Sequence, residues 1–227
     1  NVISSRCEAT VALPAGNGQA FAAFARELDA ALKNEYAVTD PGVVLECVPS
    51  SADRAVSPER TAVLLRALAV LPHGVEAMDT DFPGLVQTSL NMGVVRLDDA
   101  GLHVTFSIRS SIASRKEMLA QRVRAAAELA GGTVTERGVY PGWQYRRDSQ
   151  FRETLLAAYK DLTGKDGVVE ATHGGLECGL FMEKLPGLDA VSLGPDILDI
   201  HSVRERLGVS SVARTYALVC EVLRRSV

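Results

Sequence analysis

Basic charge, paired cysteines and long apolar runs are all scarce in this sequence. Its net charge of −4 at pH 7 excludes the positive footprint that holds nucleic acid or an anionic membrane surface. No apolar stretch approaches the roughly 20 residues that span a bilayer, and the first residues do not resemble a signal peptide. The four cysteines, Cys7, Cys47, Cys178 and Cys220, are far apart and form no CxxC. They read as reduced, mostly buried thiols of a cytoplasmic protein, which excludes a disulfide frame and a zinc knuckle. GxSxG, Walker A, GxGxxG and HExxH are missing, as are internal repeats and low-complexity segments.

What is present is an ordinary globular composition. Hydrophobic residues make up 47% and charged residues 23% of 227 positions, enough for one large domain or two small ones. The chain opens at Asn1, without a methionine, and runs almost at once into the alternating "CEATVAL". A processed N-terminus and a fragment both fit that opening.

"CEATVALPAG" reads as a strand closed by Pro14 and Gly16. Residues 19–36 carry Phe21, Phe24, Leu28, Ala31, Leu32 and Tyr36 at helical spacing. "VVLECV" (43–48) is a second candidate strand. Ser57-Pro58-Glu59 starts a helix with a hydroxyl cap, a proline at the first position and an acid in the first turn. It runs to about Leu71, before Pro72. In "GLHVTFSIR", Leu102, Val104, Phe106 and Ile108 alternate with His103, Thr105, Ser107 and Arg109, so one face is apolar and the other polar. "TSLNMGVVRL" alternates too, and "DDAG" joins the two into a hairpin. Pairing Leu97 with Gly101 puts Asn91 opposite Ser107 and Ser89 opposite Arg109. Asn91 and Arg109 then become diagonal neighbours on the polar face. Ser114-Arg115-Lys116-Glu117 reads as a capping box. The helix it opens turns Leu119, Val123, Ala126 and Leu129 inward and closes at Gly131-Gly132. "TVTERGVY" reads as a further strand. This order suits an α+β sandwich, with helices on one face of a mainly antiparallel sheet.

"PGWQYRRDS" (141–149) breaks the pattern and marks a domain boundary. Beyond it, "SQFRETLLAAYKDLTG" is an amphipathic helix with Phe151, Leu155, Tyr159 and Leu162 inward. "GVVEATH" and "LDAVSLG" read as short strands of a buried sheet. Ser211 caps a last helix with Tyr216, Val219, Cys220 and Leu223 inward. This second unit is too thin to close a core alone and reads as one lobe of a larger α/β domain.

Five residues are candidates for chemistry. His201, in "GPDILDIHSV", follows an apolar strand and a Gly-Pro turn, where ligands of α/β sheets collect. It is either a zinc-ligating imidazole or a polar loop residue. Arg109 ends a polar-faced strand, and its planar fork suits a carboxylate; a solvent-exposed strand arginine is the alternative. Asn91 is either a donor to a carbonyl or an edge asparagine. In "ATHGGLECGLF", the glycines after His173 let the backbone approach a ligand, and Glu177 needs a partner if it is buried. Cys178 reads as core, with no base beside it. His73 and His103 read as surface residues.

Taken in order, "VQTSLNMGVV", "FSIRSSIAS", "GVYPGWQ", "THGGLECGLF" and "VSLGPDILDIHS" resemble the C-terminal half of the aminoacyl-histidine dipeptidases, the peptidase D branch of the M20 metallopeptidases. The resemblance covers nearly the whole chain. It implies an α/β protein: an α+β sandwich lid over residues 1–143, then the C-terminal lobe of a zinc-peptidase-like α/β domain over 144–227. By the same resemblance His201 is a zinc ligand, Arg109 holds the substrate carboxylate, and Asn91, His173 and Glu177 border the substrate. The substrate is an Xaa-His-type dipeptide, the cofactor two zinc ions per intact site, and the lid the means of homodimerisation.

The family's remaining metal ligands, its general base and its lid histidine belong to earlier segments that have no counterpart in this sequence. The chain by itself is therefore expected to hold no catalytic residue, to bind zinc no better than a surface histidine, and to be inactive. A related aminoacylase or deacylase, and a truncated non-catalytic dimerisation module, are the alternatives.

Overall fold

The structure, a computed structural model, describes residues 4–226. The chain divides into two compact units, Ser4–Arg66 and the part from Ala67 onward.

In Ser4–Arg66 the main element is α1 (Gly18–Glu35), in the place the apolar spacing predicts. Phe21 and Phe24 pack with ring centroids 6.4 Å apart. Ala25 is buried, whereas Phe24, Leu28, Ala31 and Tyr36 of the expected inward stripe are exposed. Neither expected strand, 7–16 or 43–48, enters a sheet. A strand needs a ladder partner, and Leu45 instead gives its amide to the Asp29 carboxylate at 2.8 Å. α2 (Pro58–Val70) starts as predicted, with Ser57 Oγ accepting from the Arg60 amide at 3.3 Å.

From Ala67 onward, three antiparallel strands form a sheet in the order β1–β2–β3: β1 (Gly74–Met78), β2 (Val86–Asp98) and β3 (Gly101–Ser110). α3 (Ala113–Leu129) covers one face. Leu90, Leu119 and Val123 are buried there, with Leu71, Phe106 and Ile108 packed against them. The helix ends as expected, with Gly131 at φ +75°. Its start differs: the cap position is Ile112, without a side-chain bond, and Ser114 lies inside the first turn. Ser110 Oγ, not Ser114, accepts from the Ile112 amide at 3.0 Å. Leu129, expected inward, is exposed because the helix ends there, beyond the sheet's reach.

The hairpin register contains two compensating departures. At the turn Leu97 pairs with Leu102, one residue off the expected pairing. An irregularity between Met92 and Val94 then takes up one residue, as a bulge does. Deeper in the ladder Asn91 faces Ser107 and Ser89 faces Arg109, as the sequence predicts. Thr88 and Leu90 are buried, so Ser89, Asn91, Ser107 and Arg109 share the opposite face.

A second core joins α4 (Gln150–Thr163) and α6 (Val209–Arg225). Leu155, Ala158 and Val222 are buried in it, backed by Phe151, Val191 and Leu218. Ser149 caps α4, accepting from the Arg152 amide at 3.0 Å. Its own hydroxyl donates to Asp189 Oδ1 at 2.7 Å, and Asp189 Oδ2 accepts from the Phe151 amide at 3.0 Å. Leu162, expected inward, is exposed. On α6 the expected stripe of Tyr216, Val219, Cys220 and Leu223 is exposed, because α4 covers the face carrying Leu218 and Val222. Ser211 does not cap this helix, whose cap position is Gly208. It is buried, accepting from the Asp196 amide and donating to the Gly208 carbonyl.

Segments 133–140, 167–173 and 188–194, read as strands, enter no ladder. The described residues offer no neighbouring strand to pair with them. "ECGLF" begins the helix α5 (Glu177–Lys184). The hairpin of β4 (Ile197–Leu198) and β5 (Arg206–Leu207) precedes α6. Cys7, Cys47 and Cys220 are exposed and only Cys178 is half-buried, which corrects the reading of mostly buried thiols. The overall class is the expected mixture of helices with antiparallel sheet.

Candidate active-site cleft

The polar face of the β2–β3 hairpin opens onto a cleft of about 570 Å³. Its walls are the end of β3, the Tyr140–Trp143 segment, the loop 169–176 and residues 190–192. Close backbone approaches shape it. A Cβ on Gly142 would stand 2.5 Å from the Ser110 carbonyl oxygen, and one on Gly175 would stand 2.8 Å from the Tyr140 ring. A Cβ on Gly179 would lie 3.1 Å from the Pro141 carbonyl. The "YPGW" and "HGGLECG" stretches are thus fitted against each other and against the end of β3, which is why they carry glycine at these points.

Four cations line the cleft: Arg109, Lys116, Arg146 and Arg152. Three are tied to the framework. Lys116 donates to the Tyr140 carbonyl. Arg146 donates to the Asp148 and Gly187 carbonyls. Arg152 donates to the Arg146 and Arg147 carbonyls and lies 4.9 Å from the Tyr145 ring centroid. Arg109 is half-buried, and its guanidinium, among the described residues, makes no hydrogen bond or ion pair. A guanidinium withdrawn from water without a partner is poised for an anion of matching shape.

His173 stands beside it. Its Nε2 lies 2.7 Å from Ser89 Oγ, and Ser89 is the register partner of Arg109. Burial and then the Arg109 charge lower the imidazole pKa, against the opposing effect of a hydrogen bond to the Val86 backbone. The ring is therefore held neutral near pH 7. Across the cleft, burial and then the charges of Glu177 and Cys178 raise the Tyr140 phenol, so it remains a protonated donor. Burial likewise raises the Cys178 thiol, as expected of a group that is not a nucleophile.

Of the five predicted residues, Arg109 and His173 line the cleft together. Asn91 lies one ladder step along the same face, opposite Ser107, and Ser107 lines the cleft. Glu177 is exposed at the first residue of α5, near enough to act on Tyr140. His201 is outside the cleft lining. It is exposed in the β4–β5 connection at φ +64°, its amide donating to Glu205 Oε2 at 2.8 Å. Asp199 in the same connection is engaged by Arg206 at 3.0 Å. Among the described residues no three His, Cys, Asp or Glu side chains gather as a metal site. These residues alone do not fit a two-zinc centre, and His201 is a single donor. Sequence reasoning overlooked Ser89 and Tyr140. Ser89's place opposite Arg109 was the available signal for one, and "YPGW" beside the diglycine loop for the other.

No protein-family model matches the chain. It is 32% identical over 225 residues to the cytosol non-specific dipeptidase of Escherichia coli (strain K12), covering 99% of this chain and 46% of that protein. The aminoacylhistidine dipeptidase of Vibrio alginolyticus superposes with a TM-score of 0.85 at 31% identity, over 94% of this chain and 44% of that one. Aminopeptidase PepT of Bacillus cereus ATCC 10987, at 20% identity, shares the fold over 71% of this chain with a TM-score of 0.54. The chain spans about half the length of these relatives and resembles the C-terminal half of the aminoacylhistidine dipeptidases.

Proposed function

We propose, from that resemblance, that the chain is the substrate-binding part of a cytoplasmic metallo-dipeptidase acting on Xaa-His-type dipeptides. The observation that supports this most directly is Arg109: a half-buried, unpaired guanidinium facing a cleft whose other cations are committed to backbone carbonyls. Its fork accepts the free carboxylate of a short peptide through two parallel bonds. A longer peptide has an amide at that point and forfeits the charge-assisted pair. Tyr140 contributes a protonated phenol, and Asn91 and Glu177 flank the approach. Residues 1–143 would act as the lid and 144–227 as a lobe of the peptidase domain.

Two zinc ions, in the intact enzyme, would supply the activated water. Among the residues described here only His201 is offered as a ligand, so this chain's part is recognition and not bond cleavage. β3 lies at an edge of the sheet, and an edge strand invites pairing across a two-fold. Self-association through the lid is therefore part of the proposal. Sedimentation that finds only monomer at high concentration would remove it.

The test of the main reading is a comparison of a dipeptide with its C-terminal amide in the enzyme that carries this chain. Arg109→Lys should lower kcat/KM for the dipeptide at least tenfold, about 1.4 kcal/mol. It should change the amide little. Equal losses on both would assign Arg109 to the scaffold or the scissile group.

A further inference from the structure

We propose that Ser89 and His173 form a latch that fixes the Gly174–Gly175 turn against β2, with Ser89 as the positioning residue for the imidazole. The proposal rests on the reading of the cleft as a carboxylate-binding site, since the turn it fixes forms the wall beside Arg109.

One hydrogen bond joins strand and ring: Ser89 Oγ lies 2.7 Å from His173 Nε2. The Val86 backbone, three residues earlier on β2, also acts on the ring and raises its pKa, the effect of a carbonyl near a ring N–H. A neutral imidazole has one N–H. On the proposal it is turned toward Val86, so Nε2 is the acceptor, the Ser89 hydroxyl is the donor, and the ring is the Nδ1–H tautomer. The Ser89 bond then engages Nε2 and orients the loop that follows His173.

The loop needs such an anchor. Gly174 and Gly175 are exposed, and their backbone is intrinsically loose. On the far side Gly175 sits so close to the Tyr140 ring that a Cβ would reach 2.8 Å. The latch on one side and the phenol ring on the other leave the turn one position. The charged neighbour that acts on the imidazole is Arg109 of β3. The β2 residues from Val86 to Ser89 are uncharged, and Glu177 of α5 acts instead on Tyr140. A protonated ring would repel Arg109 and lose the Ser89 donor bond, so the latch favours the neutral ring.

The proposal is tested by long-range ¹H–¹⁵N correlation spectra of the histidine ring in the 227-residue chain across pH. Wild type should show His173 as a single Nδ1–H tautomer, titrating below the ordinary histidine range. Finding the proton on Nε2 would overturn the latch without any variant. Ser89→Ala should remove the hydrogen bond accepted at Nε2 and shift that nitrogen's resonance, and Ser89→Thr should restore it. A Ser89→Ala spectrum identical to wild type would also overturn it. In the enzyme that carries this chain, Ser89→Ala should raise KM for a dipeptide several-fold with kcat nearly unchanged, and a fall in kcat at constant KM would contradict a positioning role. The carboxylate reading can fail separately. Equal damage to dipeptide and amide by Arg109→Lys, with the Nδ1–H tautomer intact, would dismiss that reading and leave the latch.

Discussion

At Gly142 a single hydrogen separates a good fit from a collision. Its missing Cβ would stand 2.5 Å from the Ser110 oxygen and 2.8 Å from the Ser111 oxygen, both backbone atoms that cannot rotate away. Gly142→Ala must push the Tyr140–Trp143 segment off the end of β3. Overpacking of this kind costs roughly 1–3 kcal/mol, so urea unfolding should show a stability loss of that size. Unchanged stability would mean that the segment is not seated against β3. Near neutral pH one contribution to the pH dependence comes from His173, whose pKa is lowered on folding. Between the folded and unfolded values the unfolded chain binds more protons, so stability rises with pH there. The contribution is complete above about pH 6.5, the unfolded value, and is lost as pH falls through the folded one. Denaturation midpoints measured from pH 7.5 to 5 should therefore decline more steeply in wild type than in His173→Gln. Much of the residue scale was legible in the sequence. Ser89 was expected opposite Arg109 from an assumed Leu97–Gly101 pairing, which holds there because the irregularity between Met92 and Val94 absorbs the one-residue error at the turn, and the glycines of "HGG" pointed to a close approach. The function of His173 was not legible, because its partner Ser89 lies 84 residues away and no local spacing encodes that contact.

Among the elements, α4 shows the dependence of local structure on a distant group most clearly. Ser149 is a good helix cap by type, yet it is also buried and bonded to Asp189, which caps the Phe151 amide as well. Burial would raise the Asp189 carboxyl pKa, but bonds from Ser149 and the Phe151 amide, with the charges of Arg146 and Arg152, bring it below the usual range. Ser149→Ala should cost about 0.5–2 kcal/mol, the range for loss of a cap, measured by chemical denaturation of the chain. A negligible effect would show that Asp189 alone caps the helix. Helices were legible as elements because their spacing is a local property. Their buried faces were less so: α6 has one apolar stripe through Leu218 and Val222 and another through Val212, Tyr216, Val219 and Leu223, and only the first is packed on α4. Strands outside the hairpin were illegible for a different reason. Apolar alternation gives a segment the capacity to pair, whereas a ladder also needs a neighbouring strand, and for 133–140, 167–173 and 188–194 the described residues provide none.

On the scale of the whole molecule, the described residues line a cleft at the end of β3 without gathering three metal-ligating side chains. Arg109 and His173 meet in the cleft while His201 stands in the exposed β4–β5 connection. On the proposed reading, the carboxylate-binding Arg109 and the metal ligand His201 would fall on different parts of the described chain. The central claim is that Arg109 grips a free carboxylate, and its most direct test is kcat/KM of wild type and Arg109→Lys on a dipeptide and on the same dipeptide amidated at its C-terminus. A loss of at least tenfold is expected on the dipeptide, about 1.4 kcal/mol, with little further loss on an amide that is already a poor substrate. Equal losses on the two substrates would contradict that claim.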